Sequence, residues 1–363
     1  APGVAKRSVI GRSGQPGKAE ALYSPPPPTP APVATPGAAR PVAPRDSGAY
    51  AMCYAVSTSN DPMGTYYRYE FVRPLFPDYP RPAVWPDGYY LPTSTGDDVI
   101  EKHTCVADRT RMLRGEPATE QCVVVPGVNF LNNVDLDGTQ LPPAGAPNLV
   151  LAAGGTQLKG VLQDDGIYAW QFHVDWDDPS KTRLDGPTKI AVAPYAYLCG
   201  GQLTNCVPQP GVDRRLDAQG DKLMARVVYR RIGNVESVVA THSVNTAAGA
   251  GGVRWYEFRL GKDRAPTLYQ QGTYAPDATY RWLPSPAIDK FGNIGMGYNV
   301  TKTSATTKFP TLGYTGRTAA DPAGVMSLGE NEVAIGAAAE TSGRWGDYYQ
   351  MTVDPVDDCT FWF

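Results

Sequence analysis

Two aspartates draw attention because of the residue types beside them. Asp78 lies in Phe76-Pro77-Asp78-Tyr79-Pro80-Arg81, and Asp347 in Arg344-Trp345-Gly346-Asp347-Tyr348. Glycoside hydrolysis needs two carboxyl groups roughly 5 to 9 Å apart, one as acid and the other as base or nucleophile. An arginine fork binds a carboxylated sugar through paired hydrogen bonds, and flat aromatic rings offer stacking faces. Asp78 and Asp347 are therefore the candidate catalytic pair. Tyr79, Arg81, Arg281, Trp282, Arg344, Trp345 and Tyr348 are the candidate substrate-binding groups. His242 closes the strand-like run Val238-Val239-Ala240-Thr241-His242 and is a weaker catalytic candidate, the base of a lyase in which an arginine neutralises a uronate. Against each stands a plainer role. Arginine–aspartate pairs and tryptophans tie structural elements together, and a strand histidine, His173 in Phe172-His173-Val174-Asp175-Trp176 included, is more often buried and hydrogen-bonded.

Other chemistry is weakly supported. Asp135-Leu136-Asp137-Gly138 and Asp354-Pro355-Val356-Asp357-Asp358 offer oxygens to a structural calcium ion, with Asp135 and Asp137 the candidate ligands. Neither run matches the twelve-residue calcium loop with its terminal glutamate. No Gly-x-Ser-x-Gly elbow, His-Glu-x-x-His helix or phosphate-binding loop occurs. No other cofactor is expected.

These residues need a scaffold, and composition says which kind. The chain has 363 residues with 38 glycines and 35 prolines, and 21 tyrosines against 9 phenylalanines, a mix suited to short strands joined by turns. A hydrophobic fraction of 42% is enough for a large core and excludes wholesale disorder. No run of 18 apolar residues is present, so no membrane-spanning helix is expected. Six of the 33 basic residues but one of the 36 acidic ones fall in residues 1–45, leaving a net −8 on the rest. That charge argues against nucleic acid as a partner.

Residues 1–48 also hold eleven prolines, four of them consecutive at 25–28, and read as an extended arm; residues 49–363 read as one all-β domain. Within that domain Ala51-Met52-Cys53-Tyr54-Ala55-Val56-Ser57 and residues 65–72 form a hairpin about Asn60-Asp61-Pro62-Met63-Gly64. A helix of two turns is expected from Asp108, its cap, to Arg114, with Gly115 as the stop. A degenerate repeat then recurs: an apolar residue, an aspartate, a gap rich in Gly or Asn, and a second apolar strand. Copies lie at 83–91, 216–224, 286–296 and 352–361, with a weaker one at 134–151. Their aspartates read as turn-formers before catalysts, because a turn carboxylate accepts nearby backbone N–H groups.

Five hairpins over 315 residues point to stacked blades around an axis. The expectation is a five-bladed β-propeller, with six or seven blades if repeats are merged. Two strands from each end would share the closing blade, and a Cys53–Cys359 disulfide would lock it. Cys105–Cys122 across the helical insert and Cys199–Cys206 across a tight loop complete three disulfides from six cysteines. No CxxC pair is present. Disulfides imply an oxidising compartment, and the start at Ala1-Pro2-Gly3 reads as a processed, secreted chain.

Several segments resemble an uncharacterised family of secreted bacterial β-propeller proteins, grouped with BNR-repeat or sialidase-like sequences. They include 55–69, 76–90, 172–176, Arg254-Trp255-Tyr256-Glu257, 271–277 and 344–355. The resemblance implies a fold and an extracellular compartment. The Ser-x-Asp-x-Gly-x-Thr-Trp box of sialidases is absent, so it implies no sialidase chemistry. The expected partner is an extracellular polysaccharide recognised at the channel mouth, with its processing there left open. The alternative is another surface protein, or a second copy met through the proline-rich arm.

Overall fold

A computed structural model describes residues 39–41, 48, 50–95, 101–303 and 307–363, so the arm expected at 1–48 lies almost wholly outside the described residues. The protein is all-β: 47% of it is strand and 4% helix, and its sheets curl into half-barrels. The units are antiparallel meanders of about four strands. In the first, the short strands Pro77–Asp78 and Ala83–Val84 pair with Gly88–Thr95, followed outward by Glu101–Asp108 and Glu120–Val124. The second runs Asn132–Asp137, Asn148–Ala153, Ile167–His173 and Arg183–Ile190. The third runs Val227–Ile232, Val235–Asn245, Gly251–Leu260 and Pro266–Tyr274. The fourth runs Tyr280–Ile288, Ile294–Lys302, Lys308–Arg317 and Asn331–Gly336.

The second and third meanders share one eight-stranded sheet, because their first strands pair in parallel, Val134–Asp137 against Val227–Arg230. Several strands are buried along nearly their whole length, such as Asn148–Ala153 and the middle of Val235–Asn245. Strands covered on both faces lose the period-two polarity of a half-exposed sheet and read as continuous apolar runs. The main core gathers Trp85, Tyr90, Trp170, Phe172, Tyr229 and Phe258 with many Val and Leu side chains. The Trp85 ring meets Tyr229 edge-on at 4.8 Å and its indole N–H donates to the Ala146 carbonyl at 2.9 Å.

Buried arginines join the meanders where their first strands meet. Arg81 donates to the carbonyls of Leu131 and Leu223 at 2.9 and 2.8 Å. Arg226 donates to Asp135 at 2.7 Å and to both Asp137 oxygens, the longer contact being 3.0 Å. Arg230 donates to the Ile288 carbonyl at 3.1 Å and grips Asp358. The expected calcium site at Asp135 and Asp137 is thus corrected: a guanidinium supplies the positive charge there. Asp358 is likewise committed to an arginine, while Asp357 accepts the backbone N–H groups of Cys359 and Thr360 at 2.9 and 2.8 Å.

Local expectations hold well. The hairpin is Tyr50–Ser57 with Tyr66–Arg73. The helix is one turn, Arg109–Met112, rather than the two expected, but its cap Asp108 accepts the Arg111 N–H at 3.1 Å and Gly115 follows it at φ +70°. In the repeat at 286–296 the Asp289 carboxylate accepts the N–H groups of Phe291 and Asn293 at 2.8 and 2.9 Å, with Gly292 at φ +84°. Asp354 does the same for Val356 at 2.7 Å.

Closure is different from the expectation. Tyr50–Arg73 and the C-terminal pair Thr352–Val353 with Phe361–Trp362 are separate two-stranded sheets among the described residues. The first packs Met52, Tyr54 and Val56 on Leu91, Ala107 and Met112. The second packs Met351, Val353, Phe361 and Phe363 on Ala287. Cys105–Cys122 and Cys199–Cys206 are bonded as expected. The expected Cys53–Cys359 bond is absent: both thiols are free, Cys53 exposed and Cys359 half-buried. Each end is anchored by its own apolar face to a different meander, and Cys53 lies on the solvent side of its strand.

Candidate functional site

Tyr79 and Asp347 lie 268 residues apart in sequence, yet the Tyr79 hydroxyl donates to the Asp347 carbonyl at 2.8 Å. Around this contact is a cleft of about 550 Å³. Asp78 and Tyr79 reach it from the start of the first meander, and Arg344, Asp347 and Tyr348 from the segment after the fourth. Asn129 and Phe130 come from the turn before the second meander, and Gln219, Asp221 and Lys222 from the turn before the third. Ser94 and Lys102 complete the sheet side.

A polar chain runs along the cleft wall. Arg344 pairs with the buried Asp217 at 2.7 Å and with Asp347 at 3.1 Å. Gln219 donates to the other Asp347 oxygen at 3.1 Å and accepts from Lys222 at 2.9 Å. Lys222 pairs with Asp221 at 2.5 Å, and Asn129 donates to the Asp221 carbonyl at 2.8 Å. Below this, the Arg81 guanidinium lies 3.6 Å from the centre of the Phe130 ring and 5.0 Å from that of Tyr79. The Tyr348 ring is 55% exposed and meets Tyr79 at 5.1 Å.

Burial sets the charge states. It raises Asp347 above the usual carboxylate range, with Arg344 opposing, and pushes the Tyr348 phenol up to about 12. It lowers Lys222, and brings the Lys102 ammonium down to about 8 despite the attraction of Asp221. Arg81 falls to about 10 for the same reason. Tyr79 at φ +52° and Gln219 at φ +45° both hold left-handed backbone conformations that side-chain-bearing residues rarely adopt. Strain of this kind costs on the order of 1–3 kcal/mol each and gathers at functional sites.

Of the residues expected at the site, Asp78, Tyr79, Arg344, Asp347 and Tyr348 converge, with Arg81 directly beneath. The others are elsewhere. Arg281 is 2% exposed, bound to Glu330 at 2.5 Å and Asp277 at 2.8 Å inside the fourth meander. Trp282 is fully buried and donates to the Asp217 carbonyl at 3.0 Å, while Trp345 stands against it and donates to Asn299 at 3.0 Å. His242 is fully buried too: its Nε2 meets the Tyr256 hydroxyl at 2.8 Å, and Tyr195 and Tyr197 pack on its ring. Burial lowers it to about 3, so it is neutral and out of reach of substrate. These residues hold the fold, which corrects the functional expectation for Arg281, Trp282, Trp345 and His242. His173 pairs with Asp185 at 3.3 Å at the margin of the second meander.

Ser94, Lys102, Asn129, Gln219, Asp221 and Lys222 were not singled out from the sequence as site residues. The last three fall inside the repeat copy at 216–224, where an acid followed by lysine at a turn was a signal of a kind. Asp217, read there as a turn-former, instead holds Arg344. No family model and no curated protein sequence matches this chain.

Proposed function

We propose that this chain is a secreted propeller that binds an extracellular polysaccharide in the cleft between Asp78 and Tyr348. In this reading the four meanders are blades, and the two terminal hairpins occupy the fifth position between the fourth and first. The parallel approach of the first strands at 134–137 and 227–230, and the arginines that join them, support the ring. The two disulfides suit an oxidising compartment.

The observation that carries the reading is the convergence of Asp78, Tyr79, Arg344, Asp347 and Tyr348 on one cleft. An exposed tyrosine ring offers an apolar face to a sugar, while carboxylate, amide and guanidinium groups offer planar hydrogen bonds to its hydroxyls. The test is calorimetric titration of a panel of neutral and uronate-bearing polysaccharides, with reducing ends and absorbance at about 235 nm followed in parallel. Binding that falls with Asp78→Asn and Asp347→Asn supports the reading. Sugar release lost in the same variants extends it to an acid–base pair. An unsaturated-uronate signal makes it a lyase. Silence across the panel overturns it.

One observation favours a second reading, a noncatalytic assembly protein. The edge strand Asn331–Gly336 is largely exposed, with Val333 and Ile335 outward at 54% and 74%. An open edge of this kind is a template for pairing with another chain. Oligomers that vanish with Ile335→Lys while the cleft variants behave normally would favour this reading.

A further inference from the structure

The chain upstream of Ala39 enters the fold beside the cleft. Arg40–Pro41 is the outermost strand of the first meander and pairs antiparallel with Glu120–Val124, Arg40 opposite Val124 and Pro41 opposite Val123. Stepping back from Arg40 to Ala39 therefore runs alongside the advance from Val124 to Val125. That is the end of the sheet where the cleft lies: the Val125 N–H donates to the Lys102 carbonyl at 3.0 Å, and Lys102, Asn129 and Phe130 line the cleft. Arg40 also bonds Glu101, the neighbour of Lys102, and Ala39 packs on the main core, so the point of entry is fixed. Two strand spacings of about 4.8 Å put it about 10 Å from the strand that carries Lys102. Chain length then decides what can arrive. Pro25-Pro26-Pro27-Pro28-Thr29-Pro30-Ala31-Pro32, outside the described residues, is joined to Ala39 by six residues. Those span at most about 25 Å, and eight residues of polyproline helix are themselves about 25 Å long.

We propose that residues 25–32 lie across the cleft of their own chain as a polyproline strap over Tyr348 and Leu203, and that a glycan must displace them to enter. The contact stands by itself; the competition with glycan rests on the glycan-binding reading above. The chemistry of segment and cleft is complementary. Six of the eight residues are prolines, which have no N–H, so the segment presents apolar rings and carbonyl acceptors with few donors. The cleft presents exposed apolar surface on Tyr348 and Leu203. It also presents donors: Arg344 commits Nε to Asp217 and Nη2 to Asp347, which leaves Nη1 of its exposed fork for a ligand carbonyl. Charge matches as well. On the cleft Lys102, Lys222 and Arg344 balance Asp78, Asp221 and Asp347, and no charged residue lies between Glu20 and Arg40 in the segment. An uncharged strap leaves those ion pairs in place. A polyproline helix is set in its bound shape beforehand, so docking on an aromatic surface orders little more of the chain.

The test uses the intact chain with the photocrosslinking substitution Thr29→p-benzoylphenylalanine, irradiated in dilute solution. The expected product has the mass of a single chain, with position 29 joined to the peptide carrying Leu203 or the one carrying Tyr348. Its yield should be the same at about 0.05 and 0.5 M salt, because the segment is uncharged. Loss of the product at high salt assigns the contact to the arm's basic residues and overturns the strap. Crosslinks between two chains, crosslinks elsewhere on the domain, or none at all overturn it too. A chain that also carries Pro26→Gly, Pro28→Gly and Pro30→Gly keeps its length but loses the stiff helix, and its yield should fall severalfold. A strap closed in about nine-tenths of molecules weakens the apparent affinity for a competitor about tenfold. Polysaccharide should therefore bind the glycine variant roughly tenfold more tightly than the unaltered chain. Equal affinity overturns the gating. A crosslink to the cleft with polysaccharide bound by neither chain keeps the contact and removes the glycan reading, and the gating with it.

Discussion

Replacing Arg226 by methionine isolates the buried charge cluster that joins the second and third meanders. The Arg226 side chain is 2% exposed, and those of Asp135 and Asp137 are 2% and 11% exposed. The guanidinium also donates to the Met351 carbonyl at 3.2 Å, so the same side chain holds the C-terminal segment. Methionine fills much of the volume but leaves two carboxylates facing each other without their cation. Removing one partner of a buried pair costs about 3–5 kcal/mol, because the remaining charge stays desolvated. Over the roughly 310 described residues, an unfolding entropy of about 2.1 cal/mol/K per residue converts that loss into a fall in Tm of about 5–8 °C. Differential scanning calorimetry in buffer, with calcium and with chelator, reads it. The expected outcome is this fall in all three conditions, and no effect of chelator on the unaltered protein. Neutralising both acids as well, with Asp135→Asn and Asp137→Asn, should recover part of the loss. A fall in Tm below about 1 °C, or rescue of Arg226→Met by calcium, would refute the reasoning and return the site to a metal.

Three further outcomes follow from the same structure. His242 is held at about 3 by burial against about 6.5 in an unfolded chain, so the unfolded state binds the proton first and stability falls as pH drops from about 6.5 towards 3. By pH 5 this costs about 2 kcal/mol; urea unfolding at pH 5 and 7.5 should show it, and His242→Gln should flatten the difference. Alkylation with iodoacetamide under denaturing, non-reducing conditions should add two groups, at Cys53 and Cys359, and mass spectrometry finding none would restore the bond between them. Tyr348→Ala should weaken polysaccharide binding roughly tenfold, the worth of about one aromatic contact. Its thermal stability should change little, because its ring is 55% exposed.

The sequence alone determined what depends on neighbours along the chain. Strand-rich composition, the hairpin about residues 60–64, the capped turn at Asp108 and the turn aspartates Asp289 and Asp354 all follow from local φ/ψ preferences and short-range hydrogen bonds. The Cys199–Cys206 bond follows from closeness along the chain, whereas the Cys105–Cys122 bond expected across the helical insert also depends on the register that makes the two residues partners on adjacent antiparallel strands. Five residues that line the cleft were singled out from the sequence because acid, arginine and aromatic residues cluster at the two ends of the domain. Only the tertiary structure decided the rest. Arg281 and Arg344 look alike in sequence, yet one is sealed inside the fourth meander and the other lies on the cleft. Asp135 and Asp137 resemble calcium ligands until Arg226, about ninety residues away, is brought between them. Ser94 and Lys102 carry no motif, and only the cross-strand register sets both beside the cleft. Register and burial are fixed by which apolar faces meet across the whole molecule, and a chain read residue by residue does not contain those distances.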